Sequence, residues 1–371
     1  MGISIDQDKL VDLFLQLVRI NATSRQEKPV VDFLKQRLTA LGVSVYEDHA
    51  GAQIGGNAGN LIVSLNGDRP AELFLCAHTD TVRPTEHLKP HITDGVIRSD
   101  GTTILGADNR AGVAILLYLI ETIAGGHVRH RPFEVAFTVA EEIGLLGAAN
   151  LEWDKLQAPS GYVFDSSLSP GNYISVTPTA VELHIRVFGK PAHAGVAPEK
   201  GVNAVSMAAE MLTRFPVGRV DEETVANIGV IQGGEATNVV PGQVDMRGEI
   251  RSFSEATIER LLQQLDADLR AISQKYGGSY ELHHRLHFQG FKIPEDHFIT
   301  RHLKSKMAEV GLTPAGQVYH GGSDANVFNA RGRTAINLGI GARNPHGNDE
   351  HIAIGDLVKM TELALALVEA A

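Results

Sequence analysis

The sequence predicts an α/β protein: a mixed, mostly parallel sheet flanked by helices, with a smaller α+β domain inserted into it. Three observations predict it. Leu73-Phe-Leu-Cys-Ala-His78 and Phe133-Glu-Val-Ala-Phe-Thr-Val-Ala140 are near-continuous apolar runs, as in strands buried on both faces. Helical patterns alternate with these strands, which is how an open parallel sheet reads along a chain. Near Thr177 the character changes, and Val181-Glu-Leu-His-Ile-Arg-Val-Phe188 alternates apolar with polar, as a strand wet on one face does. The expected division is 1–179 with 288–371 for the main domain and 180–287 for the insert.

Bulk properties narrow the partners. At 371 residues the chain suits about two domains. With 43% hydrophobic and 21% charged residues it has a globular composition, and no apolar run approaches the roughly 20 residues of a membrane span. The N-terminus reads as an amphipathic helix through Leu10, Leu13 and Leu17, without a signal-peptide layout. The single cysteine, Cys76, leaves no partner for an intrachain disulfide and fits a reducing cytoplasm. A net charge of −11 argues against nucleic acid and against an anionic membrane.

In chain order, residues 7–20 and about 25–42 read as helices, the second started by the capping-box spacing Ser24-Arg-Gln-Glu27. Val43–Tyr46 and Asn60–Leu65 are short strands around a Gly-rich turn, 51–59. Ile97–Ile104 reads as a hairpin, and a strongly apolar helix runs on from Ala111. After the strand ending at Ala140, Ile143–Ala149 opens a helix, and Gly161–Asp165 is another strand ending in a carboxylate. The insert reads β-α-β-β-α-β: a strand through Val181–Phe188, a helix 202–215, strands 224–232 and 242–252, a helix 254–276 and a last strand 280–287. That order predicts a four-stranded antiparallel sheet with two helices. A helix at 296–310, a strand at 335–340 and a closing helix at 354–369 return to the main domain.

Polar residues recur where strands end. His78, Asp80, Asp108, Glu141, Glu142, Asp165 and His346 are the candidates. Residues two apart on a strand share a side, so His78 and Asp80 leave it together, the layout of a metal-binding imidazole and its orienting carboxylate. Asp108 suits either a helix N-cap or a metal ligand at the helix mouth. Glu141 and Glu142 are like charges side by side, costly unless a cation holds one of them. One could bind metal while its neighbour takes a proton from water, the division that metal-assisted hydrolysis requires. Two histidines among carboxylates suit zinc, cobalt or manganese better than calcium.

The motifs Ala77-His-Thr-Asp-Thr-Val82, Gly106-Ala-Asp-Asn-Arg-Ala-Gly112, Ala140-Glu-Glu-Ile-Gly-Leu-Leu-Gly147 and Phe164-Asp165 resemble those of peptidase T-like enzymes. These belong to the two-zinc exopeptidase family that includes aminoacylase and glutamate carboxypeptidase. Pro191-Ala-His-Ala-Gly-Val-Ala-Pro198, Ala236-Thr-Asn-Val-Val-Pro241, Gly321-Gly-Ser-Asp324 and His346-Gly-Asn-Asp-Glu350 extend the resemblance over nearly the whole chain. It implies two divalent metal ions, zinc first with cobalt or manganese as alternatives. His78 and Asp165 would each bind one of them, Asp108 would bridge both, and Glu142 with His346 would complete the second site. Asp80 would orient His78, and Glu141 would be the general base on a bridging water. His351 is left a structural part. His193 matches a histidine that in dimeric relatives reaches the partner's active site, and Asn238 and Arg251 match substrate-binding groups; Arg251 equally suits a plain strand-face charge. A lid or dimerisation role for the insert, and a homodimer through it, follow from the same source.

The resemblance also implies an arginine ahead of Gly321-Gly322, able to hold a substrate carboxylate; His320 stands there, a poorer bidentate partner. Asp165, where deacylase and carboxypeptidase relatives carry Glu, leans toward short peptides cleaved at a free N-terminus. A related amidohydrolase, acting on N-acyl amino acids or at a C-terminus, is the alternative, followed by a silent binding homologue.

Overall fold

The computed structural model describes residues 4–65, 69–126 and 128–370. It divides into two compact units, Met1–Val176 with Phe291–Ala371, and Thr177–Gly290.

The first unit is organised on a nine-stranded sheet. Its order is Ser44–Glu47, Leu61–Leu65, Phe133–Thr138, Leu73–His78, Ser160–Ser166, Thr334–Gly339, Asn172–Thr177 and Phe291–Lys292, with Ala315–Val318 also pairing to Asn172–Thr177. The four central strands, from Phe133–Thr138 to Thr334–Gly339, run parallel. Every residue of Leu73–His78 and of Phe133–Thr138 is buried, as their unbroken apolar runs require. Because these strands point one way, their carboxyl ends share one edge, where sites collect in open α/β sheets.

The helix Ala107–Ala124 packs against the His78 strand and the Ser160–Ser166 strand, and Gln7–Val18 and Ile354–Val368 pack on it in turn. Its long run of buried Ile and Leu side chains contributes about 2 kcal/mol for each one fully removed from water. Gly112 lets its first turn come close: a Cβ there would meet Phe164 O at 2.3 Å and Asn109 Oδ1 at 2.4 Å. The site's helix is thereby pressed onto the strands that carry His78 and Asp165.

In the second unit the sheet order is Gly218–Arg219, Thr224–Gly233, Gln243–Ser252, Thr179–Phe188 and Ser279–Phe288, all antiparallel. Val181, Leu183, Ile185 and Val187 form a core with Met207, Met211, Leu261, Leu265 and Leu269 of the helices Ala204–Arg214 and Glu255–Tyr276. Their alternating neighbours, Glu182, His184 and Arg186, are only partly buried.

The architecture follows the sequence, with several local corrections. The antiparallel sheet has five strands rather than four, because Gly218–Arg219 pairs with Val225 and Ala226; two residues are too few to show alternation. The second helix starts at Lys28 without a capping box, since the Glu27 carboxylate accepts from Arg25 N and Ala140 N instead. The hairpin is His91–Thr93 with Val96–Arg98, turned at Asp94-Gly95, rather than 97–104. The Gly-rich stretch contains a short helix, Ala50–Ile54. Only Leu146–Ala149 of the 143–149 stretch is helical.

A candidate metal centre at the strand ends

The central parallel strands deliver the candidates to one place. His78 ends its strand, Glu141 and Glu142 follow Phe133–Thr138, and Asp165 lies near the end of Ser160–Ser166. His78 Nε2 is 3.1 Å from Asp108 Oδ1 and 3.2 Å from Asp165 Oδ1. His346 Nε2 is 3.1 Å from Glu142 Oε1 and 3.5 Å from Asp108 Oδ2. Asp108 thus touches both histidines through different oxygens. Glu141 is slightly farther off, with Oε2 4.0 Å from His78 Nε2.

Asp108 is not an N-cap; that position is Gly106, with φ +75°, and Asp108 has ψ +104°, outside the helix that becomes regular beyond Asn109. Two other site residues occupy or follow left-handed backbone: His346 has φ +67°, and Ala140, just ahead of Glu141, has φ +50°. Non-glycine residues tolerate this region only where their surroundings hold them there.

Those surroundings are a second tier of buried polar groups. Asp80 accepts from Ser24 Oγ at 2.7 Å and from the backbone N–H groups of Glu141 and Glu142 at 3.1 and 3.2 Å. Its Oδ1 also lies 3.3 Å from His78 Nδ1, an electrostatic contact out of line for a hydrogen bond, which leaves Nε2 facing the cluster. Glu350 accepts from Gly106 N at 2.6 Å and Asp108 N at 2.9 Å. The fully buried Arg110 donates to Thr79 O, and to Ile20 O at 3.3 Å and Ala22 O at 3.4 Å, fixing the segment that follows His78. Asp324 is buried against Thr138 Oγ1 at 2.5 Å.

Electrostatically the cluster is unbalanced. Burial raises the Glu141 pKa well above the usual carboxylate value; His78 opposes this, while Asp165, Asp324 and Glu142 add to it. Burial likewise lifts Asp165 to about 7 against the pull of His78, and Glu142 is raised for the same reason. Asp108 feels burial most but is held below its ordinary range by hydrogen bonds from His346 and His78. Burial alone would lower His78, yet Asp165, Asp108 and Asp80 together raise it, and Asp108 and Glu142 raise His346 to about 10. Four largely buried carboxylates with two imidazoles are the arrangement that divalent cations neutralise. The donor atoms fit such ions. Those of His78, Asp108 and Asp165 lie within 4.8 Å of one another, as do those of Asp108, Glu142 and His346, two sets sharing Asp108; a third set, His78, Glu141 and Glu142, meets the same limit. The cavity they open into holds about 190 Å³ and is also lined by Ser166, Ser167, Tyr319, Gly321, Gly322 and Asn337.

The remaining sequence candidates lie elsewhere. His351 pairs with Arg98 in a small sheet and is not in the cluster. His193, Asn238 and Arg251 belong to the Thr177–Gly290 unit. The first two are exposed neighbours, bridged where Ala194 N donates to Asn238 O, and Arg251 donates to Glu249 Oε2 at 2.9 Å and sits over the Phe288 ring. His320 is half-buried between Tyr319 and Gly321 of the cavity wall. Sequence reasoning gave no site role to Glu27, Arg110, Asp324 or Glu350. Each sat inside or beside a motif already singled out, but only burial distinguishes them from solvated charges.

Residues 177–277 match the Peptidase dimerisation domain, and residues 60–172 match Peptidase family M28. The aminopeptidase PepT of Bacillus cereus is 36% identical, with 98% of each chain covered and a TM-score of 0.91. The chain belongs to the peptidase T family. A tripeptidase of Staphylococcus aureus is 33% identical over 98% of each chain, with a TM-score of 0.94. The protein YqjE of Bacillus subtilis is 36% identical over 99% of both. The peptidase T resemblance first seen in short motifs therefore holds along the whole chain.

Proposed function

We propose that this peptidase T relative is a metal-dependent exopeptidase that removes the N-terminal residue from short peptides, with two zinc ions as its metals. The observation that carries this reading is the pair of donor sets sharing Asp108, with the Glu141 carboxylate beside them, 4.0 Å from His78 Nε2 where the other carboxylates approach the histidines to 3.1–3.5 Å. In it, His78 and Asp165 would hold one ion, Glu142 and His346 the other, and Asp108 would contribute to both. When bound, such a pair supplies Lewis-acid polarisation of the scissile carbonyl and lowers the pKa of water.

The chain's own groups do the rest. Asp80 keeps His78 turned toward the cluster and, through the Glu141 and Glu142 N–H groups, sets where those carboxylates point. Glu141 takes the proton of the attacking water and returns it to the leaving amine. The burial that raises its pKa also sharpens its response to nearby cations, which favour its ionised, basic form. His193 and Asn238 are proposed as substrate contacts from the second unit. Arg251, whose Nη2 donates to Glu249 Oε2, is proposed as a third such contact. The match of the second unit to a dimerisation domain supports a homodimer; in such a dimer His193 would serve the partner's site, as the matching histidine of dimeric relatives implies.

The test is a panel of di- and tripeptides, free and N-blocked, alongside N-acyl amino acids, with metal analysis of the same preparation. Release of the N-terminal residue from free tripeptides is expected. Turnover confined to N-acyl amino acids or C-terminal residues would move the assignment to the amidohydrolase alternative. No turnover with zinc, cobalt or manganese would sink the enzymatic reading. Light scattering of the purified protein checks the dimer.

A further inference from the structure

We propose that Glu350 is a positioning residue that sets the affinity of the metal position formed by Asp108, Glu142 and His346. The inference rests on the two-metal reading above. Glu350 is 0% exposed, and among the described residues no Lys or Arg lies within ion-pair distance of its carboxylate. Burying an unpaired carboxylate is costly unless its oxygens are hydrogen-bonded. Here both oxygens are spent on one segment, Oε2 on Gly106 N at 2.6 Å and Oε1 on Asp108 N at 2.9 Å. The side chain therefore fixes the backbone from which the shared ligand Asp108 projects.

The main chain of Glu350 holds the other end. Its N–H donates to Gly347 O at 3.1 Å, next to His346, and its carbonyl accepts from Ser99 N at 3.2 Å. One residue thus ties the Asp108 loop to the His346 turn. His346 needs such a tie: it sits in a loop with left-handed φ and its side chain is 50% exposed. His78 and Asp165, by contrast, stand on central parallel strands. Loosening Glu350 should release the His346 position first.

The experiment is metal analysis and metal titration of full-length wild type, Glu350→Gln and Glu350→Asp. Glutamine can accept from only one of the two N–H groups and turns its own NH2 toward the other. Wild type is expected to retain two equivalents after dialysis, and Glu350→Gln one, with second-equivalent affinity weakened about 10–100-fold. Excess metal should restore most of kcat in Glu350→Gln with KM little changed, which a folding defect would not allow. Glu350→Asp keeps the charge but shortens the reach, and should show the same preferential loss; it decides the matter if Glu350→Gln does not fold. Two equivalents held with wild-type affinity in either folded variant would overturn the role of Glu350 alone. Wild type binding fewer than two would overturn the two-metal reading and this inference with it.

Discussion

The two sheets place histidine beside aspartate in opposite circumstances. On the wet face of the antiparallel sheet, His184 Nε2 lies 2.9 Å from Asp245 Oδ2, which also accepts from Arg186 Nε at 3.2 Å. The two partners are 31% and 26% exposed, and the hydrogen bond from His184 lowers the Asp245 pKa modestly. At the ends of the parallel strands, His78 is 2% exposed and meets Asp108 and Asp165, and among the described residues no arginine or lysine is ion-paired to them. There the pKa values spread apart, Asp165 to about 7 and Asp108 below its usual range. The residue types are alike, and burial separates them. On the solvated face Arg186 and water meet the Asp245 charge, whereas a largely buried cluster with excess carboxylate is left to be completed by cations.

That contrast can be broken from either side. The largest effect is expected at the shared ligand: Asp108→Ala should reduce peptide hydrolysis to background and release both metals, measured by steady-state rates and metal analysis. Retention of two tightly held metals would refute its bridging role. Glu141→Gln should lower kcat by about 10²–10⁴-fold while both metals stay bound; metal loss in that variant would exchange the roles assigned to base and ligand.

Stability tests compare the scaffolds. Leu75→Ala, in the fully buried His78 strand, should cost about 2–5 kcal/mol in denaturant unfolding. Asp245→Asn, on the half-solvated face, should cost less than about 1 kcal/mol. Because the folded state holds the Asp245 pKa below its unfolded value, near 3.9, its contribution is present above that value and disappears as pH falls through the folded pKa. The difference between wild type and Asp245→Asn should therefore narrow only in acid. A difference that persisted in strong acid would point to packing rather than charge.

Much of this was legible in the amino-acid order. Unbroken apolar runs give buried parallel strands and alternation gives a sheet wet on one face, because each pattern matches how many faces of a strand meet water. His78, Asp108, Glu142, Asp165 and His346 could be picked out one by one as polar residues at element ends. Their convergence and the sharing of Asp108 between two donor sets are set by three-dimensional positions up to 268 residues apart, as between His78 and His346, and no local pattern encodes them. The same limit hid Glu27 and Glu350. Glu27 had the spacing of a capping box and Glu350 stood in a motif without a role of its own, and only the tertiary structure, by removing water, turned each into an acceptor aimed at a backbone N–H of the site.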